Sequence, residues 1–240
     1  MLAEIATTAA AAGLGAGGYL YAAMWPTSQI FGRSVVAGRD LMEFALTFDD
    51  GPNDPYTGHL LDVLARHEVR ATFFLIGRFV RQRPDVVRSI RAAGHLIGNH
   101  SMTHPVLLLR SPRDVRQQLV DCNAALEDVL GEGVHYFRPP HGARRPDVMH
   151  AARDLGLTPV LWNAMGHDWE ANNSAGKVEA HLLKGIRRNQ RDKRGSNLLL
   201  HDGGHTGIGQ DRSHSVAATA NLIEQFKPRG VRFVTVDAWN

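Results

Sequence analysis

Sulfur is almost absent: the 240 residues include one cysteine, Cys122. A single thiol excludes an internal disulfide, and no Cys-x-x-Cys pair exists to hold a metal. Cys122 falls in the series Val115, Leu119, Cys122, Leu126, Val129, the spacing of one buried helical stripe in which a free thiol packs as a small hydrophobe. Charge of either sign is missing from residues 5–32, a run long enough to cross a bilayer as a helix, although rich in Ala, Gly and Thr. The positively charged start of a secretory leader is missing too, since only Glu4 and the α-amino group precede the run. Aromatics are scarce, at 7%, and none interleave the densest basic stretch, residues 187–194. That excludes a nucleic-acid surface and leaves a solvated loop or a landing patch for an acidic cell-wall polymer. No Gly-x-Gly-x-x-Gly follows the first strand-like run, which argues against a dinucleotide fold.

What is present suits a globular protein: 43% hydrophobic and 21% charged residues supply a full core, and a net charge of +3 favours an anionic partner only weakly. Residues 1–39 form an apolar N-terminal segment, a candidate membrane anchor associating through residues 5–25. Gly13 and Gly17 there form a Gly-x-x-x-Gly that permits close helix contact. The first basic side chains, Arg33 and Arg39, follow the segment; by the positive-inside rule they point the domain inward, against an envelope substrate. Residues 40–240 read as one domain. Short β-rich runs recur at residues 44–48, 71–76, 95–98, 134–137, 158–162, 197–200 and 231–236. Helical periodicity fills residues 58–67, 80–93, 112–130, 145–155, 174–186 and 213–226. Alternation of this kind predicts an α/β fold, a distorted (β/α) barrel of about seven parallel strands, with an open doubly wound sheet as the alternative.

The polar residues then fall in a pattern. Strand-like runs are followed by Thr47-Phe48-Asp49-Asp50-Gly51-Pro52, by Asn99-His100-Ser101-Met102-Thr103-His104, by Arg138-Pro139-Pro140-His141-Gly142, by a loop to Asp168-Trp169, and by Leu198-Leu199-Leu200-His201-Asp202. In a parallel barrel all strand C-terminal ends share the face that carries chemistry. Singly, each has a plain reading: Asp-Asp-Gly-Pro is a turn, a histidine pair four apart is coincidence, Arg138 is a surface arginine, His201 is a satisfied core histidine, and Trp169 and Leu199 are core. Together they place an acid pair, imidazoles and a guanidinium at one mouth. Two adjacent aspartates cannot point the same way, which suits one ligand and one base. His100 and His104 lie on one face if their segment is helical, and with a carboxylate they make a two-histidine, one-carboxylate set with open positions. Zn²⁺ suits such ligands as a Lewis acid, and Fe, Co, Ni and Mn fit the same ligand types. Thirteen histidines exceed this set, and His141, His167, His205 and His214 have no partner that sequence can name.

In order and spacing these motifs resemble those of the polysaccharide deacetylase family, the NodB homology domain. So do Ala71-Thr72-Phe73-Phe74-Leu75-Ile76-Gly77 and Gly94-His95-Leu96-Ile97-Gly98-Asn99-His100. The resemblance spans about residues 44–233 and implies a distorted barrel that removes acetyl groups from N-acetylglucosamine in peptidoglycan or chitin, or from acetylated xylan. It implies that Asp49 is the general base, that Asp50, His100 and His104 bind the metal, that Arg138 orients the base, and that Asp168 tunes the acid His201. It also implies an acetyl-methyl pocket of Trp169 and Leu199, an oxyanion contact from the backbone N–H of His141, and a place in the cell envelope outside the cytoplasm. Two positions depart from the family pattern. Met165 stands where an Asp is usual, removing a carboxylate that would support Arg138 or its loop, and His141 replaces a Tyr whose backbone is what matters. The competing expectations are an O-acetyl esterase acting on xylan, a catalytically silent carbohydrate-binding module, and a metal amidase acting on a small or lipid-linked substrate.

Overall fold

The computed structural model describes residue 15 and residues 17–240. Its strands are β1 (Glu43–Gly51), β2 (Thr72–Leu75), β3 (Leu96–Asn99), β4 (Tyr136–Phe137), β5 (Thr158–Pro159), β6 (Ala164–Met165), β7 (Ser196–His201) and β8 (Arg232–Phe233). All pair in parallel, in the order β5-β4-β3-β2-β1-β7-β6, with β8 beside the first residues of β1, and the sheet curls into a half-barrel. The helices are α1 (Tyr56–Arg66), α2 (Gly77–Gln82), α3 (Pro84–Ala92), α4 (Pro112–Leu130), α5 (Pro146–Asp154), α6 (Ala175–Arg191) and α7 (Ser213–Phe226).

The period-2 geometry of β1 explains both layers at once. Phe44, Leu46 and Phe48 point outward and share a core with Leu60 and Leu64 of α1, Leu182 and Ile186 of α6, and Leu222 of α7. Their alternates, Ala45, Thr47 and Asp49, point into the barrel. Ala45 packs there with Phe74, Tyr136 and Val160. The polar pair Thr47 and Asp49 stands above it, nearer the strand ends. Register does the rest: Thr47 pairs with Leu199, and Asp49 with His201.

Local signals set the helix ends. α4 starts at Ser111, whose hydroxyl accepts from the Asp114 N–H (3.1 Å), has Pro112 in its first turn, and ends at Gly131 with φ 71°. Cys122 is fully buried on its inner face, as its spacing predicts.

Several expectations shift. The helix read over residues 80–93 is two, because Pro84 drives Arg83 out of helical geometry (φ −133°, ψ 58°). The run at 231–236 yields only the two residues of β8. β6 is not expected from the sequence, because two residues are too short to show alternation. The basic run is half helical, residues 187–191 closing α6, and it precedes the N-terminal end of β7, opposite the mouth. Residues 1–14 and 16, including Gly13 of the Gly-x-x-x-Gly, lie outside the described residues. Among those described, residues 17–24 are helical and no helix is long and apolar enough to cross a membrane.

β5 and β6, the two margins of the sheet, are consecutive in sequence. Residues 160–163 cross from one to the other. Val35 seals the seam: its N–H donates to the Pro159 carbonyl (2.9 Å) and its carbonyl accepts from the Leu161 N–H (2.8 Å).

Candidate active site

The residues that matter sit at or just past strand C-terminal ends: Asp49 and Asp50 in β1, His100 and His104 after β3, Arg138 after β4, Asp168 after β6, and His201 closing β7. Asp50, His100 and His104 are all buried and offer ligand atoms within 4.8 Å of one another. Asp50 Oδ1 lies 3.5 Å from His100 Nε2 and 3.3 Å from His104 Nε2, and has no hydrogen-bond partner although buried. His100 Nδ1–H donates to the Arg138 carbonyl (2.7 Å), which leaves the Nε2 lone pair facing Asp50. A buried, unpartnered carboxylate oxygen between two imidazole nitrogens is costly alone and is satisfied by a cation. The donor set therefore fits a divalent ion.

The histidines do not meet on a helix. Their segment is a loop with left-handed backbone at Ser101 (φ 65°) and His104 (φ 58°), and Asp50 is also left-handed (φ 73°). Non-glycine residues hold such angles only where surroundings over-determine them. Here the Ser101 N–H donates to Asn99 Oδ1 (2.7 Å) and the His104 N–H to Ser101 Oγ (3.0 Å). The first N–H groups of α2, Gly77 and Arg78, bind the Ser101 and Met102 carbonyls (3.1 and 3.0 Å). His104 also packs against the rings of His141 (4.6 Å) and His205 (4.8 Å), which lie 6.0 Å from each other, two histidines sequence left without partners. Burial, and then the neighbouring His100, push the His104 imidazole down to about 2, so it is a neutral donor.

Asp49 is held by Arg138, whose Nη1 donates to Asp49 Oδ1 and to Thr47 Oγ1, both at 2.8 Å. The guanidinium is fully buried, stacks 4.3 Å from the centre of Phe74, and reaches the carbonyls of Val160 (3.4 Å) and Leu161 (3.3 Å) and Asn197 Oδ1 (3.4 Å). Burial lowers its pKa; the Asp49 charge opposes that. Met165, in place of the usual carboxylate, packs against Leu161, Trp162 and Leu199, and Thr47 and Asn197 are side chains that hold the arginine. Asn197 is in turn fixed by its own Nδ2 donating to Leu161 O (2.6 Å). Thr47 opens the first motif without a role that sequence can name, and Asn197 does not stand out at all.

His201 faces Asp168, with Nδ1 2.8 Å from Oδ1 and the backbone N–H donating to Oδ2 (2.7 Å). Asp168 is fully buried and also accepts from the Ser215 hydroxyl (2.6 Å), while its carbonyl accepts from His214 Nε2 (2.6 Å). Burial alone would lower the His201 pKa; the charge and hydrogen bond of Asp168, then Asp50 and Asp49, raise it to about 9. Trp169 corrects the core reading: it is 47% exposed and stands edge-on over His201 (5.2 Å between ring centres), whereas Leu199 is buried below. His141 lies at the rim with a left-handed backbone (φ 58°).

Residues 41–160, half of the chain, match the family model described as polysaccharide deacetylase. The chain belongs to the polysaccharide deacetylase family. Among relatives of this deacetylase, a chitooligosaccharide deacetylase of Sinorhizobium fredii is 38% identical over 192 residues, covering 77% of this chain and 86% of the relative. A peptidoglycan-N-acetylglucosamine deacetylase of Bacillus cereus is 37% identical over 194 residues, covering 80% and 85%. A crystal structure of a peptidoglycan N-acetylglucosamine deacetylase superposes with a TM-score of 0.77 at 31% identity, covering 86% of this chain and 91% of that one. The curled parallel barrel expected from strand–helix alternation is thus also the fold of the solved relative.

Proposed function

We propose that the protein hydrolyses the N-acetyl group of N-acetylglucosamine units in an envelope polysaccharide or its oligosaccharides, with Asp49 as general base and His201 as general acid. The observation that carries this reading is the placement of two differently held groups on paired strand positions, one a carboxylate clamped by a buried cation and the other an imidazole raised by a buried carboxylate. Asp50, His100 and His104 would hold the divalent ion, with Zn²⁺ the first choice for two neutral nitrogens and one carboxylate. When bound, the ion supplies Lewis acidity, polarising the acetyl carbonyl and making water acidic enough to attack near neutral pH.

The chain's own residues then divide the work. Arg138 aims Asp49, so that it takes the proton of the attacking water. The backbone N–H of His141 donates to the oxyanion of the tetrahedral intermediate. An amine leaves only when protonated, and His201, protonated up to about pH 9, delivers that proton to the departing nitrogen. Trp169 and Leu199 flank the position of the acetyl methyl. Acetate release from N-acetylated chitooligosaccharide and peptidoglycan, against acetylated xylan, tests the reading. Release from xylan alone, with His201→Ala nearly as active as the parent, would replace it with an O-acetyl esterase, because an alkoxide needs its proton less than an amine does.

A further inference from the structure

The exposed large hydrophobic side chains are not scattered. Tyr21, Trp25 and Ile30 belong to the N-terminal stretch whose Ala23 carbonyl accepts from the Arg144 N–H (3.0 Å); the Arg144 guanidinium holds the carbonyls of Trp25 and Ser28, and the Ile30 N–H donates to Ser28 Oγ (3.4 Å). Arg144 lies in the loop leaving β4, so this stretch is pinned to the mouth end of the barrel. Val106 and Leu109 leave β3 at the same end, and Arg145 ties the adjoining carbonyls of Leu108 and Arg110 to the same loop. Trp169 stands at the mouth itself. Of the exposed large hydrophobics among the described residues, Leu41 alone precedes β1 at the opposite end, and it is the least exposed at 37%, against 83% for Leu109. Isolated exposed apolar residues need no explanation, but a set gathered on one end marks an interaction surface.

Its composition selects the partner. Tyrosine and tryptophan are the residues that settle where apolar and aqueous phases meet. Exposed Arg33 and Arg110 border the set, matching anionic headgroups. The chain leading into it carries no charge from residue 5 to residue 32. We infer that the mouth end of the barrel docks on the surface of an anionic phospholipid bilayer through Tyr21, Trp25, Ile30, Val106 and Leu109. Where the protein acts as the deacetylase proposed above, that docking presents the active site to acetylated sugar chains held close to a membrane.

The test uses the full chain and needs no substrate, so its outcome is independent of the catalytic reading. Cys122 is fully buried, so a cysteine introduced at Leu109 or Leu41 gives one accessible thiol for an environment-sensitive fluorophore. With vesicles of phosphatidylcholine and phosphatidylglycerol, the label on Leu109→Cys should shift to the blue and be quenched by doxyl-labelled lipid, while that on Leu41→Cys stays aqueous. Binding should weaken with added salt and with phosphatidylcholine alone, and Tyr21→Glu/Trp25→Glu should lower the vesicle-bound fraction by about tenfold. Equal quenching at both positions, water-like emission at both, or sedimentation of the chain without vesicles (the surface then joining copies of the chain) would each overturn the inference. A far-ultraviolet circular dichroism spectrum and a thermal midpoint matching the parent's serve as the control for folding of Leu109→Cys.

Discussion

Arg138 is buried with Asp49 as its one carboxylate partner among the described residues, so the arginine and the aspartate define each other. Asp49→Asn is expected to lower turnover roughly 10²-fold or more while the variant still binds its ion, as measured by metal content. Arg138→Lys keeps the charge but loses the planar fork that reaches Thr47, Asp49 and two carbonyls at once, and should cost about 2–3 kcal/mol in denaturant unfolding. His201 gives a pH prediction with a definite sign. Its folded pKa, about 9, lies above the ordinary 6.5, so the pairing with Asp168 stabilises fully below pH 6.5 and is lost as pH rises toward 9. Asp168→Asn removes the largest raising influence, and the alkaline limb of kcat/KM should move down from about 9 toward 6.5. At this scale the sequence was legible where a residue type is itself chemistry, as with Asp49, Asp50, His100, His104 and His201. It was silent where a common residue becomes important through register: Thr47 and Asn197 reach Arg138 only because β1 and β7 lie side by side, and Ser215 reaches Asp168 across 47 positions.

Between elements, the loop after β1 and the loop after β7 are stitched together. Asn53 Nδ2 donates to the carbonyls of Asp202 and Gln210 (both 2.9 Å), its Oδ1 accepts from the Gly209 N–H (2.6 Å), and Thr57 Oγ1 donates to Asp202 Oδ2 (2.5 Å). The approach is close enough to demand glycine on both sides. A Cβ on Gly51 would meet Asp202 Oδ2 at 2.3 Å, and one on Gly203 would meet the Asp50 carbonyl oxygen at 2.2 Å. This stitching fixes the β1 loop, with Asp49 and Asp50, against the β7 loop, with His201. Asn53→Ala should therefore destabilise by about 1–3 kcal/mol in thermal unfolding and lower kcat more than it raises KM. The helices were readable from periodicity and caps, as α4 shows with Ser111, Pro112 and Gly131. β6 was not, because two residues make no alternation, and the loop that joins His100 to His104 was not, because spacing cannot reveal left-handed backbone.

At the scale of the molecule, the cation should act on stability as well as chemistry, since its ligands come from β1 and from the loop after β3 and are assembled only in the folded chain. Chelation should abolish acetate release, with restoration on adding Zn²⁺, and saturation at about 100 times the dissociation constant should raise stability by about 2.7 kcal/mol. The expectation of about seven parallel strands survives because strand and helix alternate along the chain. The way the barrel finishes was not foreseeable, as it depends on residues 160–163 carrying the chain from one margin of the sheet to the other. Val35 covers the β5 side of that seam, and Gly185 of α6 lies against Ala164 of β6 so tightly that a Cβ there would come within 2.5 Å. The β5 margin then gives its peptide groups to Val35 and not to a passing extended chain. Growth by adding strands, the usual route from a β-rich domain to fibrils or swapped dimers, is blocked at that margin by the course of the chain's own backbone.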